Sequence, residues 1–236
     1  MTDGFPNKPK ILRGAFVEFG LSLPPLLVVF QFNPVQLTRN RGLSYSFPGA
    51  PDAASKSSAV PQRTLRNFHG GFSNLLSLQK EQLVTVEEQK LGFDIRLDAT
   101  DRLNEGDTIT EQFGIAPQIA TLELMTYPKR ESLLGSLADL LPVKPKGFSF
   151  TRSTNPPLIL FIFGRKRVLP VNINTMNITE TEFSTDLNPV RATVAVSLTV
   201  IEGKSVPYLY SKAMTEGMSV LNLANITDVA NVVVPG

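Results

Sequence analysis

Few side chains in this sequence have the types and spacing for covalent or metal chemistry. His69 is the sole histidine and lies in Asn67-Phe68-His69-Gly70-Gly71. A Ser-His-Asp arrangement needs a histidine oriented by a carboxylate beside a nucleophile. This phrase has no nucleophile elbow, so His69 reads as a surface or loop histidine. Five carboxylates, Asp94, Asp98, Asp101, Glu105 and Asp107, crowd one stretch. Oxygen-rich loops hold calcium, but the calcium-loop order of alternating Asp or Asn followed by Gly is absent. Asp94 and Asp98 instead fall on the wet side of an alternating segment. Gly164-Arg165-Lys166-Arg167 puts three cations in one turn. Such a turn suits an acidic protein neighbour, a phosphate, or simple solubility. The glycines make no phosphate-loop or dinucleotide pattern. With no cysteine in the chain, disulfides, thiolate nucleophiles and zinc–thiolate sites are excluded. No catalytic, cofactor-binding or metal-ligating set is read from these residues, and the chain is expected to be neither an enzyme nor a cofactor carrier.

The elements that would carry such residues are mostly strands. Phe183–Ile201 opens on the turn signal Asp186-Leu187-Asn188-Pro189 and then alternates strictly. Val190, Ala192, Val194, Val196, Leu198 and Val200 point one way, and Arg191, Thr193, Ala195, Ser197 and Thr199 the other, as in a long strand with one apolar face. Its length marks it as a central strand. Residues 9–20 and 26–32 form a hairpin across Gly20–Pro25, ended by Asn33-Pro34. Residues 35–47 look like one further, imperfect strand. Leu91, Phe93, Ile95 and Leu97 alternate with polar neighbours, the pattern of an antiparallel strand with one wet face. Leu158–Phe163, Val168–Asn174 and Met176–Phe183 precede the long strand as consecutive antiparallel strands. One helix is clear, Ile115–Met125, with Pro117 in its first turn and Pro128 beyond its end. Residues 132–141 are expected as a short amphipathic helix, and residues 65–80 are ambiguous. The expected fold is mainly β, an antiparallel barrel or sandwich with one flanking helix at about 114–126.

The composition fits that class: 236 residues, 42% hydrophobic and 19% charged, with a net charge of +2 from 23 basic and 21 acidic groups. This balance predicts neither nucleic acid nor an anionic membrane as the main partner. The longest apolar run, Leu23–Phe30, is broken by Pro24 and Pro25 and falls short of the roughly 20 residues that span a bilayer. With no secretory pattern at the N-terminus, synthesis in the cytoplasm without membrane insertion is expected. Residues 1–205 read as one β domain, with irregular insertions near 48–64 and 129–157, and residues 206–236 as a docking tail.

Three phrases, in order, carry a resemblance. The first is Val29-Phe30-Gln31-Phe32-Asn33-Pro34, after an N-terminal Lys-Pro-Lys-Ile-Leu-Arg-Gly-Ala-Phe. The second is Gly114-Ile115-Ala116-Pro117-Gln118-Ile119-Ala120-Thr121-Leu122-Glu123, ending at Tyr127-Pro128. The third is Leu160–Gly164, then Val171-Asn172-Ile173, then Asn188-Pro189-Val190-Arg191-Ala192. Together, from about residue 8 to residue 202, they resemble the tube-protein-like baseplate adaptors of contractile injection systems. The resemblance implies a tail-tube-like fold, a homo-hexameric ring with strands joined edge to edge around a lumen, and a place in the baseplate hub between the spike and the inner tube. The partners it implies are other copies of the chain, a spike protein, an inner-tube or tube-initiator protein and other baseplate proteins, all within the assembled particle. Many such proteins carry a C-terminal lysin-motif module, for which the residues after Ile201 are too few. The interface residues expected on this basis are Arg165, Lys166 and Arg167 at a hairpin tip, Asn188, Pro189, Val190 and Arg191 at the turn that aims the long strand, and Phe30, Phe32, Asn33 and Pro34 at the first hairpin. A tube-initiator ring of the same machine, and an unrelated β-sandwich binding module, are the alternative readings.

Overall fold

A computed structural model describes residues 12–20, 26–48, 64–128 and 155–222. The chain divides into two compact units, one made of residues 1–39 with 90–236 and the other of residues 40–89. The protein is mainly β, as its alternating segments predict.

The larger unit is built on strands β1 (Ala15–Glu18), β2 (Leu27–Val29), β3 (Thr38–Asn40), β6 (Lys90–Asp98), β7 (Ile159–Ile162), β8 (Val168–Phe183) and β9 (Pro189–Val200). They form one seven-stranded sheet in the order β2-β1-β7-β8-β9-β6-β3. The β1–β2 hairpin and the β7–β8–β9 meander pair antiparallel, as expected. The segment 35–47, expected as one strand, is two short ones, β3 and a second at Leu43–Ser46. The segments 168–174 and 176–183 are a single strand. Its register slips between Ile173 and Thr175, and such a bulge switches which side chains face inward. That is why the apolar series runs Val171, Ile173 and then Met176, Ile178.

The sheet is open rather than closed into a barrel, and it curls strongly. β1 and β6 stand four strand spacings apart, about 19 Å in a flat sheet. Yet Phe16 of β1 and Phe93 of β6 have ring centroids 6.0 Å apart, and Phe93 lies 5.1 Å from Phe161 of β7. The concave face therefore wraps around a phenylalanine core that also takes Phe30, Ile95, Val194 and Leu198.

Three helices follow β6: α3 (Thr100–Asn104), α4 (Thr108–Phe113) and α5 (Ala116–Leu124). α5 is the helix foreseen at 114–126, and it buries Ile119 and Leu122 in the same core. Besides this expected flanking helix, five more are present among the described residues, six in all. The largest omission is α6 (Val206–Asn222), in the segment expected as a docking tail. α6 packs on this chain's own sheet, where Ser211 Oγ accepts from Val168 N and donates to the Val168 carbonyl. The helix expected at 132–141 lies outside the described residues, as does most of the insertion at 129–157.

In the smaller unit, β4 (Leu43–Ser46) pairs antiparallel with β5 (Leu83–Val86). Between them lie α1 (Leu65–His69) and α2 (Leu75–Glu81), capped by the side chains of Thr64 and Asn74. Phe47 and Phe68 are buried here, with rings stacked at 5.1 Å. His69 closes α1, and its Nε2 lies 3.1 Å from Gln82 Nε2.

Candidate functional site

Parts of the three phrases set apart in the sequence come together at the head of β9: Gln31 bonds Asp98, Asp98 pairs with Arg191, and Ile115 N donates to the Pro189 carbonyl. Asn33, beyond the end of β2, folds its side chain back onto the segment leading into β1: Oδ1 accepts from Gly14 N and Nδ2 donates to the Leu12 carbonyl. This locks the first hairpin and sends Phe30 inward. Gln31 Oε1 accepts from Asp98 N at 2.9 Å. One side chain thus bridges the β2 end of the sheet to β6, where a closed barrel would have a ladder.

A cleft of about 1180 Å³ lies along this unsealed seam. The chain from Gln31 to Thr38 forms one wall and β6 from Gly92 to Asp98 the other, with Arg191 and Thr193 beside it. β3 is three residues long against the nine of β6, so it covers a third of that edge at most. Phe32 and Pro34 line the cleft, while Phe30 is fully buried.

The turn Asn188-Pro189-Val190-Arg191 is an anchoring hub. Asn188 Nδ2 donates to the Gln112 carbonyl, the Pro189 carbonyl accepts from Ile115 N, and the Val190 carbonyl accepts from Ala99 N. Gly114 permits this approach. Its φ is +57°, and a Cβ there would stand 2.1 Å from the Pro189 oxygen, so no side chain fits. Glycine at the head of the second phrase and proline in the third are two halves of one contact. Leu187 takes the left-handed conformation in the preceding turn, with φ at +61°.

Arg191 then ties three elements. Its Nε donates to Asp98 Oδ2 at 2.8 Å, Nη1 to Glu182 Oε1 at 2.7 Å and Nη2 to Thr100 Oγ1 at 3.3 Å. Glu182 reaches it from a strand end with φ at +57°. Desolvation pushes the Asp98 carboxyl upward, but its bonds to Thr100 and Arg191 and the charge of Arg191 outweigh this and hold it below the ordinary value. The pairing of Asp98 was not visible in the sequence, where it read as a solvated strand residue. Its partner lies 93 positions away, but both stand at the polar end of an alternating strand, and strand pairing sets them opposite.

The cationic turn stands apart from this hub and is partly engaged by α6. Tyr210 Oη donates to the Arg165 carbonyl, and Lys166 Nζ lies 3.4 Å from Met218 Sδ. The Arg167 guanidinium lies over the Phe163 ring, 5.6 Å from its centroid. Burial, and then the charge of Arg39, shift it below its ordinary pKa. Arg165 and Lys166 are exposed.

On the convex face, β6, β9 and β8 present a broad polar surface. Rows cross the strands as Lys90, Thr199 and Asn172; Asp94, Ala195 and Asn177; and Arg96, Thr193 and Thr179. Most of these side chains are exposed and small. Among the described residues no group of three or more His, Cys, Asp or Glu is placed to hold a metal, and no helix is long and apolar enough to cross a membrane. No protein-family model matches the chain, and no curated protein matches it.

Proposed function

We propose that this protein is a structural ring subunit of the baseplate hub of a contractile injection system, joining the spike to the inner tube and templating tube assembly. The observation that supports this reading is the curled, unclosed sheet. Its ends, β2 on one side and β3 with the part of β6 beyond it on the other, carry backbone groups that an isolated monomer would leave for water or for another strand. Leu27 and Val29 on β2 are about half exposed, a weak point on a lone subunit. A ring of copies turns such edges into interfaces. The convex Thr, Asn and Ser surface would then offer a wet wall, balanced in charge, along which a tube or cargo slides without adhering. Asn188–Arg191 would set the pitch of β9 relative to the α3–α5 cap, so every subunit presents its edges at one angle. Arg165 and Lys166 are the exposed cations available to an adjoining ring.

The experiment is assembly. The purified chain should form a sixfold ring by native mass spectrometry and negative-stain imaging, and it should shorten the lag of tube polymerisation when mixed with the inner-tube protein. A chain that stays monomeric with both tube and spike proteins present would overturn the reading and favour a β-sandwich binding module.

A further inference from the structure

We infer that α6 is a pairing element through which two copies of this chain associate back to back about a two-fold axis. α6 carries two faces. Tyr208, Ser211 and Met214 turn toward the sheet and are at least partly buried. At helical spacing along the exposed side lie Val206, Leu209, Tyr210, Ala213, Gly217, Val220 and Leu221. The five large residues of this stripe are all exposed, with Val206, Val220 and Leu221 more than 60% so. A surface helix whose only apolar contact is its own sheet shows one apolar stripe and a polar back; this helix shows a second stripe where the polar back belongs. The stripe is also held still, because Tyr210 is pinned by the Arg165 carbonyl at 2.8 Å.

The occupant that fits is a second α6, antiparallel. Ala213 and Gly217 stand at the middle of the stripe, where two helices cross, and leave room for close approach of their axes. A two-fold axis midway between them sets Tyr210 against the partner's Leu221, and Leu209 against the partner's Val220. The charges agree with this register. Lys212 and Glu216 lie on one flank of the stripe, both exposed. A two-fold of this kind keeps that flank on the same side in both copies. Lys212 then lies within about 3 Å, along the helix axis, of the partner's Glu216, and the contact occurs twice. Within one helix a Lys four residues before a Glu is the less favourable orientation, so these charges serve better across the interface. An isologous contact of this kind uses none of the sheet edges and is independent of ring closure.

The test is the mass of the full chain by light scattering across concentration, with circular dichroism confirming the fold. Val220→Asp should halve the assembly mass, from two copies to one, or from twelve to six if rings form. Lys212→Glu should weaken the association by about tenfold, and adding Glu216→Lys should restore it. An assembly mass unchanged by Val220→Asp, or a single copy or single ring at every concentration in the wild type, would overturn the inference. An association that the double charge swap fails to restore would overturn the antiparallel register. Loss of ring closure alone would leave the halving intact and tell against the ring instead.

Discussion

Two antiparallel pairs in this molecule share an alternating pattern and meet opposite fates. In β9, Val194, Leu198 and Val200 are fully buried and Val196 nearly so, packed against α5 and the phenylalanine core. In the β4–β5 pair, Leu43 stands opposite Val86 and Tyr45 opposite Val84, so four apolar side chains share one face. Each is about half exposed, between 47 and 53%. Both stretches are amphipathic strands by local rule. The difference is what lies above them. A two-stranded sheet is marginal by itself, and the smaller unit buries only Phe47 and Phe68 among its described large side chains. Alternation thus specifies which face wants cover but not whether the chain supplies it.

The comparison breaks first at the core that supplies the cover in the larger unit. Phe161→Ala removes a fully buried ring touching Phe16, Phe30 and Phe93. It should cost about 3–5 kcal/mol in denaturant unfolding. A loss under about 1 kcal/mol would mean that the curled sheet does not close on this ring. Gly114→Ala comes next. It adds a side chain into the Pro189 carbonyl and forces alanine to positive φ, with an expected loss of about 2–4 kcal/mol from strain and overpacking together. A Tm equal to wild type would dissolve the hub at the head of β9.

Electrostatics supplies a smaller effect with a defined sign. The Asp98 carboxyl is held below its ordinary value of 3.8, so its ionised form favours the folded chain. That contribution is complete above the unfolded value and disappears as pH falls through the lowered folded value. Asp98→Asn should therefore melt below wild type at neutral pH, and the two melting curves should converge in acid, once the pH lies below the lowered folded value. A gap in Tm that persists unchanged into acid would assign the effect to packing instead of charge.

How far the sequence revealed these features follows the range of the interactions. β1, β2, β6, β7, β8 and β9 were legible because period-2 alternation is local, and α5 because Pro117 and Pro128 bracket it. α6 was missed although Ser205 and Pro207 mark a helix start and Val206, Leu209, Tyr210 and Ala213 follow at helical spacing; its second apolar stripe blurred the usual two-sided pattern. The slip between Ile173 and Thr175 read as a break between strands, since one extra residue reverses the alternation. The Gln31 bridge, the Asp98–Arg191 pair and the Gly114–Pro189 contact join positions 67 to 93 residues apart. No local rule reaches that far, even though Gln31, Gly114, Pro189 and Arg191 all lie in phrases that stood out as phrases.

The sharpest form of the comparison is one substitution made twice. Valine and threonine have nearly the same shape, so Val→Thr reports what surrounds the side chain. At Val194, with no exposed surface, the hydroxyl enters the core without a ready partner, and the loss should be about 1–3 kcal/mol. At Val86, about half exposed, the hydroxyl meets water and threonine keeps its β preference, so the change should stay within about 0.5 kcal/mol. Urea unfolding of the isolated chain, read by tyrosine fluorescence and far-ultraviolet dichroism together, separates the two values. A large loss at Val86 would show that the β4–β5 face is covered in solution and would erase the contrast. A small loss in the free chain, growing once the chain assembles with its partners, would place the missing cover on another subunit and make the exposed β4–β5 pair a docking face.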